Sequence, residues 1–156
     1  MPHELKLKVG DIAPAFTVSA SGGRTISLTD FAGRPVILYF YPKDDTPGCT
    51  REACAFRDAF AQFTALGAVV LGVSADSVKA HDKFSKKFQL PFPLLADEGR
   101  QLIDAYGVWG EKVFMGRRYQ GIHRVTFLIG RDGHLSHIWP KVKPDEHAAE
   151  VLAALR

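Results

Sequence analysis

The stretch VILYFYPKDDTPGC, residues 36–49, carries the signals that decide the fold. Its first six side chains are all β-branched, aliphatic or aromatic, so both faces of the segment are apolar. This pattern is typical of a central strand that is buried on both sides of a sheet. Pro42 ends the strand, because proline cannot donate a hydrogen bond to a neighbouring strand. Thr46 followed by Pro47 predicts the N-cap and the first residue of a helix.

Strand-like and helix-like segments alternate along the rest of the chain. Apolar residues recur with a helical period from Ala53 to Phe63, and Gly67 predicts the end of that helix. Asp76 and Asp97 are predicted to begin two later helices. The other predicted elements are strands 16–18, 25–27, 68–73, 92–95, 125–129 and 135–139, helices 76–88, 97–107 and 144–155, a helical turn at 30–33 and a hairpin turn at 130–133.

This order of elements predicts the fold class. Strands that alternate with helices in the middle of the chain indicate right-handed βαβ crossovers and parallel strands. The hairpin near the C-terminus adds antiparallel strands, so the central sheet is expected to be mixed. We therefore predict an α/β three-layer sandwich with helices on both faces of the sheet, formed by one domain over residues 1–156.

Composition sets the broad class of the protein. The chain has 156 residues, 46% of them apolar and 24% charged, and its formal net charge is +3. These values are ordinary for a soluble globular protein and argue against disorder, collagen-like repeats and coiled coils. The longest apolar run is far shorter than the roughly 18 residues of a membrane span. The charge is too small to indicate nucleic-acid binding. We expect neither a membrane nor a nucleic acid as a partner.

The N-terminus and the cysteine content favour a cytoplasmic protein. Residues Met1 to Lys8 contain no apolar core of a signal peptide. Cys49 and Cys54 are too few to stabilise a secreted scaffold, so we expect them to rest as thiols in a reducing compartment.

Cys49 falls in the first turn of the predicted helix. Unpaired N–H groups and the positive end of the helix dipole lie there, and both favour a thiolate over a thiol. The site also lies at the carboxyl edge of the central strand, where open α/β folds place their functional residues. Gly48 would let another group approach the backbone closely. The alternative is that Cys49 is only a small buried apolar residue.

Cys54 follows Cys49 by five residues. On an α-helix this spacing means about 140° of rotation and about 7.5 Å of rise, which is too far for a disulfide. If the two cysteines form a redox couple, the start of the helix must unwind. The alternative is that Cys54 is a core residue. Zinc needs four ligands, and His134 and His137 face opposite sides of a strand, so no metal site is predicted.

The residues Pro42-Lys43-Asp44-Asp45-Thr46-Pro47-Gly48-Cys49 match the P-x-x-x-T-x-x-C signature of the peroxiredoxins. The C-x4-C spacing within Cys49–Cys54 resembles the branch of bacterioferritin comigratory protein, also called peroxiredoxin Q. The resemblance covers essentially the whole chain and includes the segments Val9–Phe16, Tyr106–Glu111 and Gly121–Ile129.

This resemblance implies a thioredoxin-like fold and a thiol peroxidase without metal or organic cofactor. It makes Cys49 the peroxidatic cysteine and Cys54 the resolving cysteine of an intramolecular disulfide. Pro42, Thr46 and Arg124 would complete the peroxide site. The implied substrates are hydrogen peroxide and alkyl hydroperoxides, and the implied reductant is thioredoxin or a glutaredoxin-like dithiol protein. Members of this branch are often monomeric, so we expect a monomer.

The chemistry of the three accessory residues fits these roles. Arg124 keeps its charge, so it could favour the thiolate and donate to a peroxide oxygen at once. The Thr46 hydroxyl could orient a neutral peroxide, and Pro42 could shield the thiolate from water. Each also has a plainer interpretation, as a surface strand arginine, a helix cap and a strand terminator respectively.

Thiolate formation alone cannot account for a peroxidase. An ordinary cysteine of pKa about 8.5 is roughly 3% ionised at pH 7, so full ionisation gains at most about 30-fold in rate. The rest must come from positioning the O–O bond and stabilising the leaving oxygen. Two other function classes stay open: a redox-inactive binding or holdase module, which would leave peroxide untouched, and a thiol–disulfide oxidoreductase, which the C-x4-C spacing disfavours.

Overall fold

The computed structural model describes residues 3–156 and, within them, nine strands and five α-helices. Met1 and Pro2, the first residues of the predicted domain, lie outside the described residues. None of the helices in that part of the chain combines the length and the apolar character needed to cross a membrane. The strands are β1 (Thr17–Ala20), β2 (Arg24–Ser27), β3 (Val36–Phe40), β4 (Val69–Ser74), β5 (Leu94–Ala96), β6 (Trp109–Phe114), β7 (Arg117–Ile122), β8 (Val125–Ile129) and β9 (Leu135–Trp139). The helices are α1 (Pro47–Asp58), α2 (Phe60–Ala65), α3 (Val78–Phe88), α4 (Gln101–Ala105) and α5 (His147–Leu155).

Seven of these strands form one mixed sheet in the order β2-β1-β5-β4-β3-β8-β9. Strands β3, β4 and β5 are parallel, whereas β1 and β8 run antiparallel to their neighbours. The predicted mixed sheet is therefore confirmed. The predicted terminal hairpin is confirmed as β8 and β9, with Gly133 in its turn at a φ of 82°.

Strand β3 supplies side chains to both apolar cores, as the sequence predicted. Alternate residues of β3 enter a core on either side of the sheet, and all of them are buried. Helix α4 packs on one side through Leu102 and Ile103. Helices α1, α2, α3 and α5 contribute to the core on the other side. This places helices on both faces of the sheet, which confirms the three-layer α/β architecture.

The single helix predicted over residues 47–67 is wrong. The backbone of Ala59 leaves the helical conformation with φ −95° and ψ 2°, which separates α1 from α2. This break lets α2 turn onto β4, against which it packs. Gly67 follows at a φ of 74°, a left-handed conformation that suits the predicted stop after the helix.

Three predicted helix starts also need correction. Ser77, not Asp76, caps α3, and its side chain accepts from the Ala80 N–H at 3.1 Å. The Asp76 carboxylate is occupied instead by hydrogen bonds with the neighbouring loop. Helix α4 begins only after Arg100, although the Asp97 carboxylate accepts from the Ile103 N–H at 2.7 Å. Helix α5 begins at 147 because residues 143–147 form a preceding turn.

A hairpin of β6 and β7 was not predicted. Within residues 3–156 these strands pair only with each other and form a second, two-stranded sheet. Met115 and Gly116 make the turn with positive φ values of 52° and 79°. Polar and apolar side chains are mixed along both strands, so the alternation that marks a strand is missing. The side chains of Val113, Phe114 and Met115 at the tip are largely exposed.

Candidate active site

Cys49 lies at the start of α1, shortly after the end of β3. A loop of residues 41–46 follows β3, Thr46 occupies the N-cap position, and Cys49 is the third residue of α1. The first hydrogen bond of this helix is donated by the Thr50 N–H to the Thr46 carbonyl at 2.8 Å. The Cys49 side chain is a free thiol and only 2% of the residue is exposed. The thiol is therefore almost completely shielded from solvent.

Arg124 brings a positive charge directly to this sulfur. It lies between β7 and β8, and its Nη2 donates to Cys49 Sγ at 3.3 Å. Its Nη1 donates to Glu52 Oε1 at 2.6 Å. Burial alone would lower the pKa of Arg124, but the negative charges of Glu52 and Cys49 and the hydrogen bonds to them raise it. The guanidinium therefore stays charged and joins two successive turns of α1.

Glu52 is a site residue that the sequence analysis missed. It is fully buried, and burial raises its pKa to about 7 although the Arg124 charge opposes the rise. Its Oε2 has no hydrogen-bond partner among the described residues. One signal could have revealed it. Glu52 precedes the core residue Phe56 by four positions, so it lies on the apolar face of the helix.

Gly48 provides the space for Arg124. A Cβ atom at this position would lie 3.2 Å from Arg124 Nη2 and 3.8 Å from Pro144 Cγ. A glycine therefore lets the guanidinium approach the first turn of α1. This is the close approach that the sequence suggested for Gly48, and Arg124 is the group that makes it.

Thr46 and Pro42 lie on the loop before Cys49. The Thr46 hydroxyl donates to the Lys43 carbonyl at 2.9 Å, and its side chain makes no cap hydrogen bond with α1. Thr46 is therefore the N-cap by position, as predicted, but its hydroxyl bonds to its own loop and not to α1. Pro42 lines a pocket of about 380 Å³ together with Trp109 and Lys112 of the β6–β7 hairpin.

Cys54 lies on the same unbroken helix as Cys49. It is half-buried and is also a free thiol. Helix α1 runs through both cysteines without interruption from Pro47 to Asp58. The helical separation predicted for the pair therefore holds, and a disulfide between them requires a change in α1.

Tyr39 of β3 lies beneath the site. Its ring stacks on Phe56 with 4.7 Å between centroids, and its hydroxyl has no hydrogen-bond partner among the described residues. Gly72 on β4 makes room for it, since a Cβ there would lie 2.9 Å from the hydroxyl oxygen. Burial raises the pKa of Tyr39 above its ordinary value, and the charges of Glu52 and Cys49 raise it further. The phenol therefore stays protonated.

Comparison with known proteins identifies the family of this chain. Residues 9–138 match the model of the AhpC/TSA family. The chain therefore belongs to this family of thiol-dependent peroxidases.

Two similar proteins indicate the branch of the family. The putative peroxiredoxin bcp of Coxiella burnetii is 52% identical over 151 residues, which cover 97% of this chain and 100% of that protein. Peroxiredoxin Bcp of Bacillus subtilis is 46% identical over 152 residues, with 97% of both chains covered. The chain is thus a peroxiredoxin of the Bcp or peroxiredoxin Q branch.

Solved structures agree with the fold. A cysteine-to-serine mutant of PrxQ from Xylella fastidiosa superimposes with a TM-score of 0.90 at 39% identity, covering 96% of this chain and 95% of that one. Peroxiredoxin Q of Xanthomonas campestris gives a TM-score of 0.85 at 45% identity, covering 90% and 89%. The predicted thioredoxin-like fold is therefore confirmed.

Proposed function

We propose that the chain reduces hydrogen peroxide and alkyl hydroperoxides through Cys49, with Cys54 as the resolving cysteine and a dithiol protein as the reductant. The observation that carries the proposal is the hydrogen bond of 3.3 Å from Arg124 Nη2 to Cys49 Sγ at the start of α1. Reactive cysteines, which attack as thiolates, are commonly found beside a cation and at a helix N-terminus, and Cys49 has both neighbours.

The first step transfers one oxygen atom to Cys49. The thiolate attacks one oxygen of the hydroperoxide, the S–O bond forms and the O–O bond breaks. Cys49 becomes a sulfenic acid, and the departing alkoxide takes up a proton to leave as alcohol or water. Arg124 faces the reacting sulfur and would stabilise the charge that develops on the leaving oxygen.

Thr46 would set the orientation of the peroxide. Its hydroxyl proton is engaged with the Lys43 carbonyl, so its oxygen is left as an acceptor. It can then accept a hydrogen bond from the peroxide O–H, while Arg124 donates to the peroxide. Pro42 would exclude water from the reacting sulfur.

The pocket beside Pro42 suits an organic substituent. Trp109, Tyr119 and Ile122 offer apolar surface there, and charged side chains, including Lys43 and Lys112, line the rest of the pocket. A Xanthomonas campestris bacterioferritin comigratory protein, whose structure gives a TM-score of 0.86 at 42% identity, is described with alkyl peroxide reduction activity. Both observations support alkyl hydroperoxides as substrates alongside hydrogen peroxide.

Resolution joins the two cysteines. The Cys54 thiol condenses with the Cys49 sulfenic acid, a disulfide forms and water leaves. Because both residues lie on α1, the first turns of the helix must unwind for the sulfurs to meet. This makes local unfolding a step of the cycle.

Recycling needs two electrons from a second protein. Thioredoxin or a glutaredoxin-like protein would exchange its dithiol for the Cys49–Cys54 disulfide. With both cysteines in one chain, a monomer suffices, and we propose a monomeric, single-domain enzyme over residues 1–156. Two thiols in the resting protein suit a reducing compartment such as the cytoplasm.

Stopped-flow mixing of the reduced protein with one equivalent of hydrogen peroxide tests the proposal. Trp109 and Trp139 report the reaction by fluorescence, and product masses are recorded. We expect fast consumption in the wild type and a disulfide two mass units lighter than the dithiol. Cys49→Ser should be inert, and Cys54→Ser should stop at the sulfenic acid. Peroxide consumed no faster than by a free thiol would overturn the proposal.

A further inference from the structure

A second group of buried polar side chains holds the loop that precedes Cys49. Tyr41 donates its hydroxyl proton to Asp44 Oδ1 at 2.6 Å. Asp44 Oδ2 faces His81 Nδ1 at 2.7 Å. The backbone N–H of Asp44 donates to Asp76 Oδ2 at 2.9 Å, and that oxygen also accepts from the Ser74 hydroxyl at 2.6 Å. These bonds tie the two ends of the loop to each other and join the loop to the end of β4 and to α3.

His81 is the centre of this group. It is completely buried on α3, and its Nε2 lies 2.8 Å from the Leu95 carbonyl oxygen. A carbonyl oxygen can only accept, so Nε2 carries a proton. Asp44 Oδ2 and His81 Nδ1 lie at hydrogen-bond distance, so one further proton lies between them. The hydrogen bond between Asp44 and His81 therefore exists only while that proton is present.

The surroundings of His81 favour this proton. Burial alone would lower the pKa of His81, but the hydrogen bond and charge of Asp44, the Leu95 carbonyl and the charge of Asp76 raise it. Tyr41 is the other titratable group against the ring, at 6.4 Å between centroids. The three elements with the most extensive contacts to α3, Thr17–Ala20, Ser21–Gly23 and Leu94–Ala96, carry no ionisable side chain. Helix α1 reaches α3 with one, Arg57, which donates to the Phe88 carbonyl at the far end of the helix.

The loop needs such an anchor. Asp45 adopts a φ of 59°, a left-handed backbone conformation that is uncommon for residues other than glycine. Its own carboxylate makes only an exposed pair with Lys87 at 2.8 Å. Thr46, the next residue, carries the hydroxyl that the proposed function uses to orient the peroxide. A small displacement of this loop would therefore move that hydroxyl.

We propose that His81 is a positioning residue of the peroxide site, acting through Asp44 on the loop of residues 43–46 and so on the Thr46 hydroxyl. This rests on the proposed function of Cys49 and Thr46. His81 touches neither the sulfur nor the peroxide, and no metal is needed to explain its cluster with Asp44 and Asp76, since hydrogen bonds already join the three residues.

Substitutions at Asp44 separate the hydrogen bonds from the charge. In Asp44→Asn the side-chain oxygen can accept from Tyr41 and the NH₂ group can donate to an unprotonated His81 Nδ1. All the bonds are kept, and the shared proton is no longer required. Asp44→Ala loses them, and His81→Leu removes the anchor from the other side.

The test compares two reactions of Cys49 in each variant. One is the single-turnover rate with hydrogen peroxide, and the other is alkylation by iodoacetamide, which needs the thiolate but no oriented peroxide. At pH 7 we expect His81→Leu and Asp44→Ala to lose about 10- to 100-fold in the peroxide rate, because small misplacements of a reactant cost rates of this order. Their alkylation rates should stay within about 3-fold of wild type, and Asp44→Asn should keep both rates within about 3-fold.

Lys87→Ala is the matched control, because it breaks a bond from the same helix to the same loop but an exposed one. We expect less than a 2-fold change. Equal losses in both reactions would overturn the proposal in favour of a general structural role, and so would an unchanged peroxide rate in Asp44→Ala. If His81→Leu does not fold, the comparison of Asp44→Ala with Asp44→Asn still tests the proposal. Failure of the wild type to react with peroxide would instead refute the proposed function.

Discussion

Cys49 and Glu52 lie one helical turn apart on α1 and share one guanidinium, that of Arg124. The sulfur accepts from Nη2 at 3.3 Å and the carboxylate accepts from Nη1 at 2.6 Å. Because Glu52 is fully buried and cannot move into solvent, it fixes one side of the guanidinium. The other side is then left facing the thiol. The position of the positive charge at the sulfur thus depends on a residue that touches no substrate.

Arg124→Ala should lower the second-order rate of Cys49 oxidation by far more than 30-fold. Loss of the thiolate population alone can cost about 30-fold at pH 7 at most. The rate falls further because the negative charge that develops on the leaving oxygen is no longer stabilised by a fixed cation. Stopped-flow fluorescence with hydrogen peroxide measures the rate. A loss of 30-fold or less would mean that Arg124 acts only through the thiolate.

Arg124→Lys is the control for charge without geometry. A lysine has one ammonium group and cannot hold Cys49 and Glu52 in the same bidentate way. We therefore expect a rate between those of wild type and Arg124→Ala. A lysine variant as fast as wild type would show that the fork of the guanidinium is unimportant.

Glu52→Gln should change the pH dependence of stability. The pKa of Glu52 is about 7 in the folded protein against 4.5 ordinarily, so between these values the folded state binds more protons than the unfolded state. The stability contributed by the protonated carboxyl is therefore lost as pH rises through this window. Urea unfolding of both proteins at pH 5 and pH 8 measures this contribution to stability. The free energy of unfolding of wild type minus that of Glu52→Gln should fall by about 2 kcal/mol between the two pH values. A difference independent of pH would contradict the assignment.

Gly48→Ala should slow both steps of the proposed cycle. The added Cβ would lie 3.2 Å from Arg124 Nη2, so the guanidinium must shift away. Alanine also favours the helix by up to about 1 kcal/mol over glycine, which opposes unwinding before resolution. Stopped-flow traces should show slower oxidation and slower disulfide formation.

Gly99→Ala is the matched control for that variant. No atom lies within 4 Å of a Cβ added at Gly99. Its kinetics should equal those of wild type. If Gly48→Ala behaves in the same way as this control, the close approach of Arg124 to the helix has no role in the reaction.

Two buried tyrosines should respond oppositely to loss of their hydroxyl groups. Tyr39→Phe removes a hydroxyl that has no hydrogen-bond partner in the described part of the chain, and it should leave the free energy of unfolding unchanged or raise it by about 1 kcal/mol. Tyr106→Phe removes a hydrogen bond of 2.8 Å to the Pro14 carbonyl and should lower it by about 1 kcal/mol. Chemical denaturation compares the two. Equal destabilisation would indicate that Tyr39 has a water or other partner.

Local sequence signals predicted the part of the fold that they determine. The apolar run before Pro42 became β3, and Thr46 with Pro47 marks the start of α1, because a strand end and a helix start depend on neighbouring residues. The β6–β7 hairpin lacks such a signal. Apart from Trp109 and Ile122 at its base, its side chains pack little, and they do not alternate, so the backbone pairing is what shows that it is a strand pair.

Interactions between distant parts of the chain could not be read in the same way. Glu52 looks like an ordinary charged helix residue until Arg124, 72 residues later, is placed beside it. Asp76 resembles a helix cap by position, but its carboxylate accepts a hydrogen bond from the backbone N–H of Asp44 in another loop. In both cases a tertiary partner decides the role of a carboxylate that the local pattern assigns otherwise.

Helix α1 holds both cysteines in its 12 residues. Under the proposed function, this would link the oxidation state of the protein to its secondary structure. In the proposed cycle the disulfide form has fewer helical residues than the dithiol form. Far-ultraviolet circular dichroism would then follow turnover without a label, as loss and return of helical signal. Solutes that strengthen helices would lengthen the lifetime of the sulfenic acid and expose it to further peroxide. Tolerance of oxidative stress would in this way depend on the folding equilibrium of a single helix.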